Sequence, residues 1–562
     1  MKDTRYYIDG NFESDSLRKE GAHYYSSSYS HCMSSCEAIE LDAELQKKIK
    51  GEAFNRVISF YNDHDVLFQA FHDKLGVDPW FLEHFRLTFK YRNFQFKLAA
   101  IKQFLSAYPN GKVITADRHL KRFIAEDRLV FQEEVQTNQK KTKVSKEIRY
   151  ILGQWKPRYK QDKQDLLLSV WDDNIEGIDK RFGALNSSMD KLLNRAVFNP
   201  RQELPSETSG YRSQNNVDQV IARYLLTVKA PFHFLRFRKE LKNLFNQLNA
   251  SRNDLIPEDQ VILAYFQAAQ FSLYVYFIRY RAFKRFFQKS NYRSVSFINE
   301  NSAQQRVVQY AAHQTGVKTI GVQHGAIYPS HPAYMYGEYK TKPILPDLTF
   351  VWGEHYWNML VEFGGYSNKQ VVTSGRIPAV NPQHKKHSDL TIDKKCIVYA
   401  TQPQPDMNLR KRELKTVLNA ARLNVKDCYL VLRPHPAEVE DVLFLEIANE
   451  VGFTDFLIDR TSDLTSHFEA ADIFITSYST VGAEFVPYNK PLIVLDFLKS
   501  DTVNYISQGV GIPVYEEADL IALLARDLPN IDPEAHARFT NNYFYKNGEL
   551  AVEIIQEEID RL

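Results

Sequence analysis

The sequence predicts an α/β protein: two Rossmann-like doubly wound domains with a cleft between them, preceded by an α-helical N-terminal extension. Three observations carry that expectation. From Arg293 onward, short apolar runs alternate with stretches of helical apolar spacing, the pattern of a parallel sheet with helices on both faces. The alternation occurs twice, interrupted by the polar, proline-containing stretch IPAVNPQHKKHSDLTIDKK at 377–395. Several of the apolar runs end in histidine or hydroxyl residues, at the strand ends where such sheets bind ligands.

Residues 1 to about 110 read as polar and then helical, with aromatic-rich helical spacing over 45–61 and 79–108. GKVITAD at 111–117 reads as a strand. The basic NQKKTKVSK at 138–146 reads as a solvated loop, and so does 199–216, rich in Pro, Ser, Gly and Asn. The uncharged stretch VILAYFQAAQFSLYVYFI, 261–278, has the minimum length of a membrane span, but Gln267, Gln270, Ser272 and three tyrosines make it too polar for one. It reads as one long helix, buried at first and basic at its end. Arg279, Arg281, Lys284 and Arg285 are then either a solvated helix end or a face that docks on anionic lipid.

The regular part follows. SVSFINE (294–300) is a strand. A helix over 302–315 stops at Gly316. VKTIGVQHG (317–325), DLTFVWG (347–353) and KQVVTSG (369–375) are further strands, with the helix-like HYWNMLVEFG between the last two. The second unit runs CIVYATQ (396–402), a helix near 409–423, CYLVLRPHP (428–436), a helix near 440–451, FLID, a helix near 464–470, DIFITS, a helix from about Val481, and PLIVLDF (491–497). An amphipathic stretch closes the chain at 550–562. The expected division is a helical extension over 1–110, an acceptor-side domain over 111–380, a donor-binding domain over 381–530, and a C-terminal helical segment over 531–562 packing back across the cleft.

Bulk properties narrow the function. Lys and Arg number 71 against 69 Asp and Glu, so no global field argues for nucleic acid. The spacing of Cys32 and Cys36 lacks the further ligands a structural zinc needs, and with only Cys396 and Cys428 besides, the chain fits a reducing compartment. MKDTRYYIDGNFESDS has no apolar core of a secretory signal. The expectation is a cytoplasmic protein without metal or cofactor, in peripheral contact with the inner face of the cytoplasmic membrane.

The chemistry concentrates at strand ends. In Arg433-Pro434-His435-Pro436 the prolines stiffen the exit from a strand. Arg433 offers a planar fork to phosphate or carboxylate, and His435 a hydrogen bond to a phosphate or ribose oxygen. In TSYSTVGAE, 476–484, the hydroxyls of Ser477, Ser479 and Thr480 stand between a strand and a helix, where hydroxyls and amides together favour an anion; plain N-capping is the alternative. There is no G-x-G-x-x-G after a strand and no Walker loop, which disfavours dinucleotide and ATP. In the first unit, Glu300 and His324 end consecutive strands; parallel neighbours lie about 4.8 Å apart, so both side chains can face one pocket. A carboxylate and an imidazole suffice for general base or nucleophilic work on an activated sugar. The plain alternatives are a helix-capping glutamate and a turn histidine. Glu338 and Glu354 are the next carboxylates for the role.

The set QHG near mid-chain, then RPHP, TSYSTVGAE and PLIVLD resembles the GT-B-type glycosyltransferases of bacterial surface and capsular polysaccharide synthesis. Within them it is most similar to Kdo and sialic acid transferases and to the teichoic-acid glycerophosphotransferases. The resemblance covers roughly 293–562. It implies that His435, Ser477, Ser479 and Thr480 hold a CMP or CDP moiety, with Gln402, Arg433, Pro436 and Glu484 beside them, and that His324 is catalytic. It also implies an acidic residue acting at the anomeric carbon, for which Glu300 is the candidate. The glycerophosphotransferases favour tryptophan before the histidine, where this chain has Gln323. The expected activity is therefore transfer of a Kdo- or nonulosonate-type sugar from a CMP-linked donor to a lipid-linked or oligosaccharide surface-glycan acceptor. The rivals are a CDP-polyol phosphotransferase, a sugar-nucleotide epimerase, and a non-catalytic scaffold that binds glycans or partners.

Overall fold

The computed structural model describes residues 6–9, 22–24, 36–39, 41–131, 144–156, 161–170, 174–175, 178–179, 181–195, 211, 214–298, 302–325, 327–377, 394–402, 407–424, 426, 428–435, 438, 440–460, 464–501, 503–526, 528, 531–546 and 548–562. Glu300, Pro436, Cys32 and most of the expected linker lie outside the described residues, as do parts of the two expected loops at 138–146 and 199–216.

Strands β1 (Tyr6–Asp9), β2 (Ala22–Tyr24) and β3 (Cys36–Ala38) precede helices α1 (Ala43–Asp63), α2 (Asp65–Leu75) and α3 (Pro79–Ala107); β4 (Lys112–Thr115) and β5 (Leu129–Phe131) follow. The N-terminal extension is helical, as expected, and also carries a parallel sheet of order β3-β2-β1-β4-β5. The strand expected at 111–117 belongs to that sheet, paired with β1, and not to the sheet of the next domain. Helix α3 starts where its sequence says it should. Asp78 accepts the Trp80 amide at 2.8 Å, and Pro79 fills the first turn, where a missing N–H costs nothing. Asp78 is buried and also accepts the Tyr61 hydroxyl at 2.9 Å; burial pushes its carboxyl up to about 6. Much of the chain's aromatic content is spent here: Phe60, Tyr61, Phe68, Trp80, Phe81, Tyr91, Phe94 and Phe104 are all core residues.

After α4 (Val144–Gly153) come β6 (Asp165–Val170), a small antiparallel ladder of β7 (Asn174–Ile175) and β8 (Ile178–Asp179), and β9 (Asp190–Asn194). Four helices intervene: α5 (Val217–Leu225), α6 (Lys229–Ala250), α7 (Pro257–Ala268) and α8 (Gln270–Phe287). Then β10 (Ser294–Phe297), α9 (Ala303–His313), β11 (Lys318–Val322), β12 (Leu348–Val351), α10 (Glu354–Glu362) and β13 (Val371–Thr373) complete a parallel sheet of order β13-β12-β11-β10-β6-β9. Its strand order reverses between β6 and β10.

Two expectations in this region are corrected. The single helix expected over 261–278 is two, α7 and α8, bent by 52°. No single helix among the described residues is long and apolar enough to cross a membrane. Val261, Ile262, Leu263, Phe266, Leu273, Tyr276 and Phe277 are consumed by the protein's own core. Arg279, expected on a basic outer face, is 3% exposed and donates to Asn194 at 3.2 Å; burial lowers its pKa to about 10. Arg281 and Lys284 are half-buried and engaged with His233 and Gln314 respectively.

The third sheet holds β14 (Lys395–Ala400), β15 (Cys428–Arg433), β16 (Phe456–Ile458), β17 (Ile473–Thr476), β18 (Leu492–Leu495) and β19 (Ile512–Val514), all parallel, in the order β16-β15-β14-β17-β18-β19. Its helices are α11 (Met407–Leu423), α12 (Val442–Val451), α13 (Leu464–Ala470), α14 (Thr480–Phe485) and α15 (Glu517–Leu524). The strand order reverses between β14 and β17, the place at whose carboxyl ends such sheets hold ligands. The chain then returns. In α16 (Pro533–Phe544), Phe544 stacks on Trp352 at 5.7 Å and Tyr543 on His355 at 4.4 Å. A Cβ on Gly353 would lie 2.1 Å from the Asn542 carbonyl oxygen, so only glycine lets the two backbones meet. In α17 (Glu549–Asp560), Val552, Ile555 and Ile559 share a core with Leu167, Ile320 and Phe350 of the second sheet. The last two sheets are thus two doubly wound domains in series, strapped together by the C-terminal helices: a GT-B arrangement.

Candidate active site

The donor-side residues converge by strand register. Ala400 pairs with Arg433 and Tyr399 with Ile475, so Gln402, Arg433-Pro434-His435 and Ser477 all emerge at one edge, around the β14/β17 reversal. The His435 amide donates to Thr401 Oγ1 at 3.2 Å and to Glu438 Oε2 at 2.9 Å. Glu438 is therefore the clamp of the loop. Its carboxylate also accepts the Thr401 hydroxyl and pairs with Arg410 of α11 at 2.5 Å, and its carbonyl accepts from Arg460. The His435 ring is half-buried; burial lowers its pKa while the Glu438 charge opposes the shift. A neutral imidazole can still donate one N–H to a phosphate or ribose oxygen.

Arg433 also has a partner within the protein. Its Nη1 donates to the Asp459 carbonyl at 3.0 Å, just past β16, on the side of β15 away from the β14/β17 reversal. That bond braces the strand end.

Ser477 is buried against the Tyr399 hydroxyl, while Tyr478 between it and Ser479 is exposed. Ser479 caps α14, its Oγ accepting the Val481 amide at 3.3 Å. The Tyr505 hydroxyl donates to the Ser479 carbonyl at 2.6 Å and accepts the Ala483 amide at 2.7 Å. The Gly482 amide bonds the Ser479 carbonyl. Three amides of this short helix, those of Val481, Gly482 and Ala483, thus already have protein partners. Gly482 is required by the same packing: a Cβ there would sit 2.9 Å from the Tyr505 ring. The Glu484 side chain is 9% exposed and pairs with Arg376 at 2.8 Å; burial raises its pKa, and the Arg376 charge offsets part of the rise.

Arg376 follows β13, so this ion pair joins the two domains. From it a series of contacts leads to His324. The Arg376 guanidinium lies over the Trp352 ring, 5.8 Å from its centroid. Trp352 donates its indole N–H to the Gln323 carbonyl at 3.0 Å and its amide to Gln323 Oε1 at 2.8 Å. The Gln323 side chain in turn donates to the Gly325 carbonyl at 2.8 Å. Gln323 is buried and His324, the next residue, is exposed. The turn is thus fixed by the glutamine, and the histidine is presented from it.

β10 and β11 are adjacent, with Phe297 paired to Gly321, as the reading of Glu300 and His324 requires of their strands. Glu300 itself lies outside the described residues. Of the alternative carboxylates, Glu338 and Glu354 are both exposed; the Glu338 carbonyl is held by Asn62, and Glu354 opens α10. On the His324 side stands a second imidazole. His331 packs among Phe85, Tyr328 and Tyr334 and accepts the Ala333 amide at Nδ1, 3.2 Å. Burial lowers its pKa to about 4, helped by the charges of His324 and Arg92.

Sequence alone assigns no role to Glu438, Arg376, Gln323 or His331. The signal for Glu438 was present: an acid three residues after the histidine in RPHPAE can reach back to its amide, as an N-cap partner does. Arg376 carried none, since its partner lies 108 residues later.

No family model matches the chain, and no curated protein matches it. Among solved structures it is similar to MnaA of S. aureus in complex with UDP, with 18% identity over 50% of this chain and 77% of that one, at a TM-score of 0.35. It is similar to the UDP-GlcNAc 2-epimerase of Neisseria meningitidis bound to UDP-GlcNAc, with 13% identity over 51% and 82% of the two chains and a TM-score of 0.37. It is also similar to the wall teichoic acid polymerase TagF, with 18% identity over 50% and 84% and a TM-score of 0.34.

Proposed function

We propose that the protein is a glycosyltransferase that moves a Kdo- or other nonulosonate-type sugar from a CMP-linked donor to a lipid-linked or oligosaccharide surface-glycan acceptor. The observation that carries the reading is the convergence of Gln402, His435 and Ser477 at the β14/β17 reversal, with His324 presented from the facing domain. Doubly wound sheets bind ligands at such a reversal. The motif set RPHP with TSYSTVGAE, and its resemblance to cytidine-nucleotide users, supports CMP as the leaving group.

In this reading His435 and the Ser477 and Thr480 hydroxyls hold the CMP phosphate and stabilise the charge it gains as the bond from the anomeric carbon to the phosphate oxygen breaks. His324 takes the proton of the acceptor hydroxyl as that oxygen bonds to the anomeric carbon. Glu300 supplies the carboxylate at the oxocarbenium-like centre. No metal or cofactor takes part.

The test is turnover of a donor panel with an oligosaccharide acceptor, followed by nucleotide release and product mass. CMP release coupled to acceptor extension by one sugar is the expected result. Release of CMP with a polyol phosphate on the acceptor would make it a phosphotransferase. Isomerised donor without any acceptor would make it an epimerase.

A further inference from the structure

The stretch LTVKAPFHFLRFRK, 226–239, forms the corner between α5 and α6 and the first turns of α6. Along α6, the face of Ala230, Phe237, Leu241, Leu244 and Leu248 is buried, as an amphipathic helix requires. The opposite face should be polar and is not. Val228 is 83% exposed, Phe232 72% and Leu235 58%; their spacing of four and three residues puts them in one stripe. Leu226 beside them is 61% exposed. On α8, whose Tyr274 packs on Phe234, Phe271 is exposed one turn earlier. This is a contiguous run of large apolar side chains facing outward, which a lone soluble surface rarely keeps without use.

The charges around it have one sign. Between 226 and 239 stand Lys229, Arg236, Arg238 and Lys239, all exposed, and no acidic residue. The next acid, Glu240, is paired with Lys74 at 3.2 Å. Among the described residues, neither Lys229, Arg238 nor Lys239 has a carboxylate partner. By contrast, two of the four cations first expected to meet lipid point elsewhere: Arg279 is inside, and Arg281 is bound to the His233 ring on the inner flank of α6.

We propose that this outer face of α6, Val228, Phe232 and Leu235 ringed by Lys229, Arg236, Arg238 and Lys239, docks on an anionic lipid bilayer. An apolar stripe bordered only by cations suits the boundary between headgroups and acyl chains. Phosphates meet the cations while the three side chains enter the apolar layer. A second copy of the chain fits poorly, because a two-fold contact would set the same cations against each other. The inference stands apart from the transferase reading, which it would serve by holding the enzyme near a lipid-linked acceptor.

The test is flotation of the full chain with vesicles of phosphatidylcholine containing phosphatidylglycerol, against phosphatidylcholine alone, at low and high salt. The parent should float with the anionic vesicles at low salt and be released by high salt. The pair Phe232→Ser and Leu235→Ser, and the triple Lys229→Gln, Arg238→Gln, Lys239→Gln, should each weaken binding at least about tenfold. Thermal melts check that these exposed positions leave the fold intact. In addition, Phe232→Trp should show a blue shift of its emission on anionic vesicles. A parent that stays unbound, variants that float like the parent, or a patch variant that only turns a dimer into a monomer would each overturn the proposal.

Discussion

Replacing His324 with alanine is expected to lower turnover by about 10²–10⁴-fold, the usual loss for a general acid or base, with nucleotide affinity and melting temperature unchanged. The reasoning is geometric. Gln323, not His324, ties the turn to Trp352 and Gly325, so the backbone that presents the imidazole survives its removal. The ring is exposed, so its loss opens no cavity in the core. Nucleotide recognition is assigned to the other domain and should not notice the change. Initial rates, calorimetric titration and a thermal melt on the same preparation check all three. Near-parental turnover in His324→Ala would remove the base from this residue; a collapse of the melting temperature would make it structural.

Arg410→Met is expected to give the largest loss of stability. Glu438 is buried, its side chain 1% exposed, and Arg410 is the cation that compensates it. Removing one partner of a buried pair leaves a desolvated charge and costs about 3–5 kcal/mol. For a unit of this size that lowers the donor-domain transition by on the order of 10 °C. The same change should loosen the His435 loop, whose amide Glu438 holds, and weaken nucleotide binding. Adding Glu438→Gln to Arg410→Met should recover much of the stability, because the stranded charge is gone, but not the affinity. Calorimetric melts of the two single variants and the double variant read the coupling. A drop of a degree or less in Arg410→Met, or a double variant no better than the single, would contradict the account of the clamp.

How much of this was legible depended on how local the signal was. In the donor half, β14, β15, β17 and β18 are uninterrupted apolar runs bounded by polar residues, and each was readable. β19 is three residues long and contains Pro513, so it carried no pattern. In the acceptor half, β10 to β13 were readable while β6 and β9 were not. DLLLSV looks as much like a buried helix turn as a strand, and four helices separate the β6/β9 pair from β10, the strand that β6 joins in space. In the N-terminal sheet β4 was readable, but its other strands are three or four residues long, too short for a period to show. Helical spacing identified α8 but could not say which neighbours it would meet, so Arg279 was assigned to the surface when α8 turns it inward, to Asn194 at the end of β9. Candidate residues at strand ends were legible because strand ends are marked by the break in apolar character. The reach of Glu438 to the His435 amide is local, but its pairing with Arg410 and that of Glu484 with Arg376 are long-range contacts that no local pattern encodes.

A nucleotide site at the β14/β17 reversal, built on His435 and Ser477, requires that the protein bind a nucleotide through those two residues. The measurement that tests it most directly is calorimetric titration of the full chain with CMP, CDP, UDP and GDP, repeated for His435→Ala and Ser477→Ala. CMP should bind with the highest affinity and raise the melting temperature, as a ligand of the native state must. Both substitutions should weaken that binding without lowering the melting temperature of the free protein by more than a few degrees. Absence of binding by all four nucleotides, or CMP affinity unchanged in both variants, would contradict such a site.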